Sequence, residues 1–164
     1  MTVSEAIAAR RSIRKYDPRP IEPEKLRQVL EAGRLAPSGS NRQEWKFIVV
    51  TDPQLRRQLA TACHNQQMVA EAPADLVICA TAVSEMMCSQ RSDGVNCSIA
   101  LSFMMLQATE LGLGTCWLGA FSNEQVQQAL GITDSVVAVS PIGYPAESPD
   151  PRPRKAFDEV VCLR

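Results

Sequence analysis

The stretch Leu111-Gly112-Leu113-Gly114-Thr115-Cys116-Trp117-Leu118-Gly119 decides between two architectures. It nearly repeats the G-x-G-x-x-G turn that binds dinucleotides in a doubly wound parallel sheet, but Trp117 stands where the third glycine is required. It also follows a helical pattern, whereas that turn follows a strand. The helical pattern runs from about Ser92 to Leu111, the longest periodic stretch of the chain. It should be the central core helix, with Ile99, Phe103 and Leu106 on one face and Gly112 as its stop. A Rossmann-type site is excluded. The glycines read either as allowing close backbone approach to something flat or as capping the helix and turning the chain.

Outward from this stretch, helices and strands are mixed without strict alternation. Thr2-x-x-Glu5 reads as a capping box for a helix through Ala9, and Pro23 opens a second helix to about Leu35. Trp45 to Thr51, Asp75 to Ala82 and Val136 to Tyr144 read as strands, with Thr115 to Leu118 a shorter one. Asp52-Pro53 starts a helix, Asn65 to Ala72 forms a short one, and Ser122-x-x-Gln125 caps one that ends at Gly131. Pro145, Pro149, Pro151 and Pro153 force an extended path before the tail. The pattern predicts an α+β fold, with residues 1–164 as a single domain and residues 148–164 as a tail lying on a neighbour.

Composition narrows the function. The chain has 164 residues and a net charge of −1, from 17 Lys+Arg against 18 Asp+Glu, so nothing in the balance favours nucleic acid or an anionic membrane. A chain of this length buries roughly 70% of its unfolded surface, enough for a core without metal or disulfide staples. The amphipathic N-terminus lacks a signal-peptide pattern, and a cytoplasmic location is expected. The cysteines Cys63, Cys79, Cys88, Cys97, Cys116 and Cys162 form no C-x-x-C pair, which argues against zinc, iron–sulfur and thioredoxin-like chemistry. Cys79 reads as a core hydrophobe, and Cys88 as a weak candidate for a reactive thiol. His64, the only histidine, reads as structural.

Three further segments carry candidate chemistry. Arg10-Arg11-Ser12-Ile13-Arg14-Lys15 and Arg152-Pro153-Arg154-Lys155 are basic clusters far apart in the chain. Forked guanidinium donors and a serine hydroxyl suit a phosphate, and both clusters converging on one dianion competes with two solvated basic turns. Ala36-Pro37-Ser38-Gly39-Ser40-Asn41-Arg42-Gln43 is a loop rich in amides and hydroxyls, suited to a polar ring edge or simply to joining helix and strand. No P-loop, G-x-S-x-G elbow or H-E-x-x-H motif is present. A catalyst built on this chain would rely on a bound cofactor.

Taken in order, R-R-S-I-R-K-Y, A-P-S-G-S-N-R-Q-x-W-x-F-I-V-V, N-Q-x-x-V-x-x-A-P, L-G-L-G-T-C-W-L-G, G-Y-P and a late R-x-R-K make the chain resemble the FMN-dependent nitroreductase family over nearly its whole length. The resemblance implies an α+β fold with a mixed, mainly antiparallel central sheet, and an intertwined homodimer with FMN at the interface. It places Arg10, Arg11, Ser12, Arg152 and Arg154 at the FMN phosphate and ribityl chain. Arg14 and Asn65 fall at the pyrimidine edge, Pro37, Ser38, Gly39 and Asn41 in a loop from the partner subunit, and Leu118 and Gly119 near N5. Glu44 and Asn96 depart from the family pattern, at positions where proline and an acidic residue are common. The activity implied is ping-pong hydride transfer from NAD(P)H through FMN to nitroaromatics, quinones or similar flat acceptors, with no catalytic side chain required. The competing readings are an FMN-binding carrier or sensor, a specialised branch such as flavin fragmentation or reductive dehalogenation, and a cysteine-redox protein.

Overall fold

The computed structural model describes residues 1–164. The elements follow the sequence patterns closely: α1 (Val3–Ala9), α2 (Pro23–Arg34), β1 (Trp45–Val50), α3 (Pro53–Ala62), α4 (Gln67–Glu71), β2 (Ala74–Ala80), α5 (Ser92–Glu110), β3 (Gly114–Thr115), α6 (Asn123–Leu130), β4 (Ser135–Gly143) and α7 (Phe157–Val160). Local chemistry explains their starts. Thr2 and Glu5 form the expected capping box on α1. Asp52 accepts from the backbone N–H groups of Gln54 and Leu55 at the start of α3, and Ser122 accepts from Gln125 at the start of α6. Gly112, at φ +75°, ends α5 in the left-handed region, where a Cβ would be strained.

The strands form a sheet in the order β1-β2-β4-β3, and every neighbouring pair is antiparallel. Its parallel component is a single bridge between Ser12 and Thr115. The sheet is buried on both faces because side chains alternate along each strand. On β2, Val77 and Cys79 point into a core shared with Leu59, Val69 and Val126. Leu76 and Ile78 point the other way, into a core with Val29, Leu101 and Met104. Helices α3, α4 and α6 thus cover one face, and α2 and α5 the other.

The long helix α5 corrects one expectation. Its buried side is Cys97, Ala100, Leu101, Met104, Met105 and Ala108, while Phe103 is exposed and Ile99 and Leu106 are half-buried. Apolar residues run around most of this helix, so periodicity identifies the helix without selecting its inward face. Phe103 and Leu106 instead line a groove of about 410 Å³ with Met1, Val3, Ala6 and Ala32. At the C-terminus, the path predicted as extended holds one short turn of helix, α7, in which every residue is exposed.

One polar side chain is out of place in this core. Asp75 on β2 is fully buried, and neither carboxylate oxygen has a hydrogen-bond partner. The nearby Arg56 donates to the carbonyls of Ala70 and Ala72, leaving its buried Nε unpaired. Burial pushes the Asp75 carboxyl well above the ordinary aspartate value, with Arg56 pulling the other way. The folded chain therefore keeps a proton that the unfolded chain releases near ~pH 3.9, and stability falls as pH rises from there through the folded-state value. Asp75→Asn should match the parent near pH 4 and melt at progressively higher temperature than the parent as pH rises to 8, as measured by thermal unfolding across pH.

Candidate active site

The segment from Ser12 to Asp17 is fixed on both sides by strand-like hydrogen bonds. Ile13 N–H donates to the Thr115 carbonyl on β3 at 2.9 Å, Asp17 N–H to the Tyr144 carbonyl at 2.9 Å, and Ala146 N–H to the Lys15 carbonyl at 2.9 Å. Glu147 completes the join by accepting from the backbone N–H groups of Arg14 and Lys15. Burial of Ile13 against β3 and the hydrogen bond from the Tyr16 hydroxyl to the Ile13 carbonyl hold the segment down. These bonds lay the beginning of the C-terminal tail beside the N-terminal basic run.

The result is a cleft of about 390 Å³ lined by Arg10, Arg11, Ser12, Arg14, Arg152 and Arg154, with Asp150 as its one carboxylate. Arg11 donates to the carbonyls of Ala8 at 2.7 Å and Arg10 at 2.9 Å, which leaves its other guanidinium edge free. Arg14 is similarly tied to the Ser12 carbonyl, and Arg154 to those of Arg152 and Pro153. None of these guanidinium groups forms an ion pair; the five that occur involve other residues. Cations held from behind and not engaged in ion pairs form a donor set suited to a phosphate. The residues present therefore fit the phosphate end of a flavin mononucleotide.

Cys116 lies beneath this basic run. Burial pushes its thiol up, while Arg14, a hydrogen bond with Ser12 and Arg10 pull against the shift. Burial likewise pushes Cys63 and Cys97 to about 12 and Cys79 to about 11, so these thiols stay protonated at neutral pH. This chemistry does not suit a cysteine-redox mechanism. Cys88 is exposed, and no cluster of His, Cys, Asp and Glu able to hold a metal is present.

The chain running on from β3 leads to the second group of candidate residues. Leu118 is buried and exchanges backbone hydrogen bonds with Val139, and Gly119 follows it on the surface. A Cβ built on Gly119 would meet nothing within 4 Å, so its backbone is open to a ligand. Asn65 is an exposed turn residue at φ 61°, close to this strip through hydrogen bonds from Gln66 to Ala120 and from Ser122 to Ala62.

The third group, Pro37, Ser38, Gly39 and Asn41, does not line the basic cleft. Its loop hangs on the start of α5, where the Asn96 side chain accepts from Gly39 N–H at 3.0 Å and the Ser38 hydroxyl accepts from Gln43 N–H at 3.0 Å. Ser40, Asn41 and Gln43 all have φ near 50°, an uncommon conformation that these bonds maintain. Asn96 thus supports the loop, and Glu44 Oε2 is buried without a partner beside it. Glu147 and Asp150 are the contributors that sequence patterns leave out of the site, and Asn96, marked in the sequence only as a departure from the family pattern, proves to support the loop. Glu147 and Asn96 work on backbone groups far away in the chain, and no local spacing marks such a role.

The nitroreductase family model matches residues 7–92 and 64–144. A relative from Archaeoglobus fulgidus, assigned as a NADH dehydrogenase/NAD(P)H nitroreductase, is 36% identical over 151 residues, covering 88% of this chain and 86% of that protein. Among solved structures, the NADPH:FMN oxidoreductase from Vibrio harveyi complexed with NAD+ superposes with a TM-score of 0.90 at 29% identity, covering 98% of this chain and 76% of that one. A nitroreductase family protein from Clostridium difficile 630 superposes with a TM-score of 0.88 at 28% identity, covering 99% and 98%. The fold is that of the nitroreductase-family oxidoreductases. The chain belongs to the nitroreductase family.

Gly114 tests the geometry that supports the cleft. A Cβ there would lie 2.5 Å from Ile13 Cγ1 and 2.8 Å from Ile13 Cβ, so Gly114→Ala must push the basic segment off β3. The expected cost is about 1–3 kcal/mol, read as a lower Tm together with weaker binding of inorganic phosphate.

Proposed function

We propose that the chain is an FMN-dependent NAD(P)H oxidoreductase working by ping-pong transfer to nitroaromatics, quinones or similar flat acceptors, in the cytoplasm. The observation that carries this reading is the convergence of two distant basic segments on one cleft, with none of their arginines engaged in an ion pair. FMN, when bound, supplies the hydride chemistry between donor and acceptor, which no side chain here provides. FMN is the cofactor and NAD(P)H the electron donor.

The side chains bind and orient. Arg10, Arg11, Ser12, Arg152 and Arg154 hold the phosphate and ribityl chain through charge-assisted hydrogen bonds. Arg14, exposed beside Ser12, stabilises negative charge at the pyrimidine edge, and the Asn65 amide reads the same edge. Leu118 and Gly119 present backbone close to N5, and the open space over Gly119 leaves room for a second planar molecule. Protons come from water at an open site.

The working unit in this reading is a homodimer with FMN at its interface, each protomer covering its partner's flavin with the loop of Pro37, Ser38, Gly39 and Asn41. Two observations support it. That loop stands apart from the basic cleft of its own chain, and Val3, Ile7, Leu35 and Phe103 leave apolar surface exposed. The domain is the whole chain, and residues 148–164 extend onto the partner. Phe103→Glu should shift the protein toward monomer in size-exclusion chromatography and lower its flavin content.

Flavin binding and turnover provide the decisive tests. The FMN-reconstituted protein, freed of excess flavin, should keep a flavin absorbance spectrum and bleach anaerobically on adding NADH or NADPH; colourless protein overturns the reading, and coloured protein that does not bleach points to a carrier or sensor. Arg10→Ala and Arg154→Ala should each weaken FMN binding by roughly 1.5–3 kcal/mol. Unaltered affinity in both variants would refute the phosphate assignment.

A further inference from the structure

Of the four buried polar side-chain atoms that lack a hydrogen-bond partner, three belong to one pair of residues: both carboxylate oxygens of Asp75 and Nε of Arg56. Arg56, Leu59 and Cys63 follow one another at helical spacing along α3 and its cap, and Leu59 and Cys63 pack in the core that receives the Asp75 face of β2. From this position Arg56 acts electrostatically on Asp75. Tyr16 and Cys63 are the other titratable groups that feel the Asp75 charge, and burial pushes both upward, so neither is charged at neutral pH. The strands on either side place Val50 and Pro141 opposite Asp75. Helices α4 and α6 add Met68, Val69 and Val126 to this core, with Glu71 and Glu124 exposed. Arg56 is therefore the one charge acting on a carboxyl that has no hydrogen bond.

Arg56 is meanwhile committed elsewhere. Its Nη1 donates to the Ala70 carbonyl at 2.9 Å and to the Ala72 carbonyl, at the last turn and cap of α4. A helix of five residues is too short to hold itself together, so it depends on such outside support. The guanidinium is a rigid plane, and bringing its free Nε edge to the carboxylate draws Nη1 off those carbonyls. Arg56 has room to shift, because it is half-buried and lines a cleft of about 280 Å³ with Thr51, Pro73 and Ala74. We propose that Arg56 is a latch with two positions, on the Ala70 and Ala72 carbonyls or on the Asp75 carboxylate, and that loss of the Asp75 proton moves it from the first to the second and loosens the end of α4. The proton passes to solvent, and no other group changes charge. An unpaired buried carboxylate is costly enough to drive the exchange, and pairing with Arg56 offsets part of its lost hydration. The latch lies outside the basic cleft and needs no bound cofactor.

The test follows amide hydrogen exchange in the full chain at Val69 and Ala72, whose N–H groups bond to the Gln66 and Met68 carbonyls. Dividing the parent's rate by that of Asp75→Asn at each pH removes the intrinsic effect of pH on exchange. The ratio should stay near 1 at about pH 4 and rise at least about threefold by about pH 9. Arg56→Gln should exchange faster than the parent at these two amides already at about pH 4, by a similar factor. NMR of the parent supplies a reading that needs no variant: the chemical shifts of the Asp75 carboxyl carbon and of the Arg56 Nε nitrogen should titrate with one midpoint, shared with the exchange at α4. A ratio flat across this range overturns the proposal. So does an Asp75 titration that leaves Arg56 Nε unmoved, or a rise of equal size at the β2 amides, which would mark loss of global stability instead of release of α4.

Discussion

The backbone ladder that holds Ser12 to Asp17 between β3 and the residues following β4 organises the rest of the site. Without the bonds from Ile13 to Thr115, Asp17 to Tyr144 and Ala146 to Lys15, the two basic segments would be solvated turns at opposite ends of the chain. The ladder works because β3 and β4 pair at Gly114 and Gly143, two positions without side chains. The Ile13 side chain occupies the space over Gly114, and Pro73 and Tyr16 that over Gly143. Packing of an apolar residue against glycine is thus the immediate cause of charge convergence on the surface. Glu147 adds an electrostatic element, a carboxylate spent on backbone donors instead of on the neighbouring arginines. Its use there leaves the guanidinium groups available.

Burial on both faces of the sheet has a cost at Asp75. A central strand must alternate its side chains between two cores, and position 75 falls on the face occupied by Val77 and Cys79. A carboxyl placed there has neither water nor a hydrogen bond, and the guanidinium of Arg56 nearby is engaged with helix-terminal carbonyls. The molecule tolerates this by keeping the acid neutral, since the cost of an unpaired buried charge exceeds that of an unpaired neutral group.

Much of this was legible beforehand, and the parts that were not share a cause. Capping residues, proline starts and glycine stops are local signals, and the helix and strand boundaries they imply lie within a few residues of those observed. The rejection of a dinucleotide turn at Gly112 to Trp117 rested on local chemistry too, and β3 there is an edge strand paired with β4. Periodicity does not select the inward face of α5, because a helix apolar on most sides has no preferred side until its neighbours are in place. The roles of Glu147 and Asn96 are not legible in the sequence because each acts on backbone far away in the chain. The basic clusters themselves were visible, but their meeting required knowing how β3, β4 and the N-terminal segment pair.

The tail after Pro149 is exposed along its length, yet it carries Arg152 and Arg154. The cleft thus has one wall built into the folded body and another suspended from it by the clamp at Glu147. Part of the ligand affinity consequently resides on a length of polypeptide separable from the folded body. Sequence drift, trimming or grafting beyond Asp150 can retune how strongly an anion is held while the hydrophobic layers are left undisturbed. A scaffold arranged in this way can change its affinity in small steps, because the tail arginines that contribute to it carry little of the burden of staying folded.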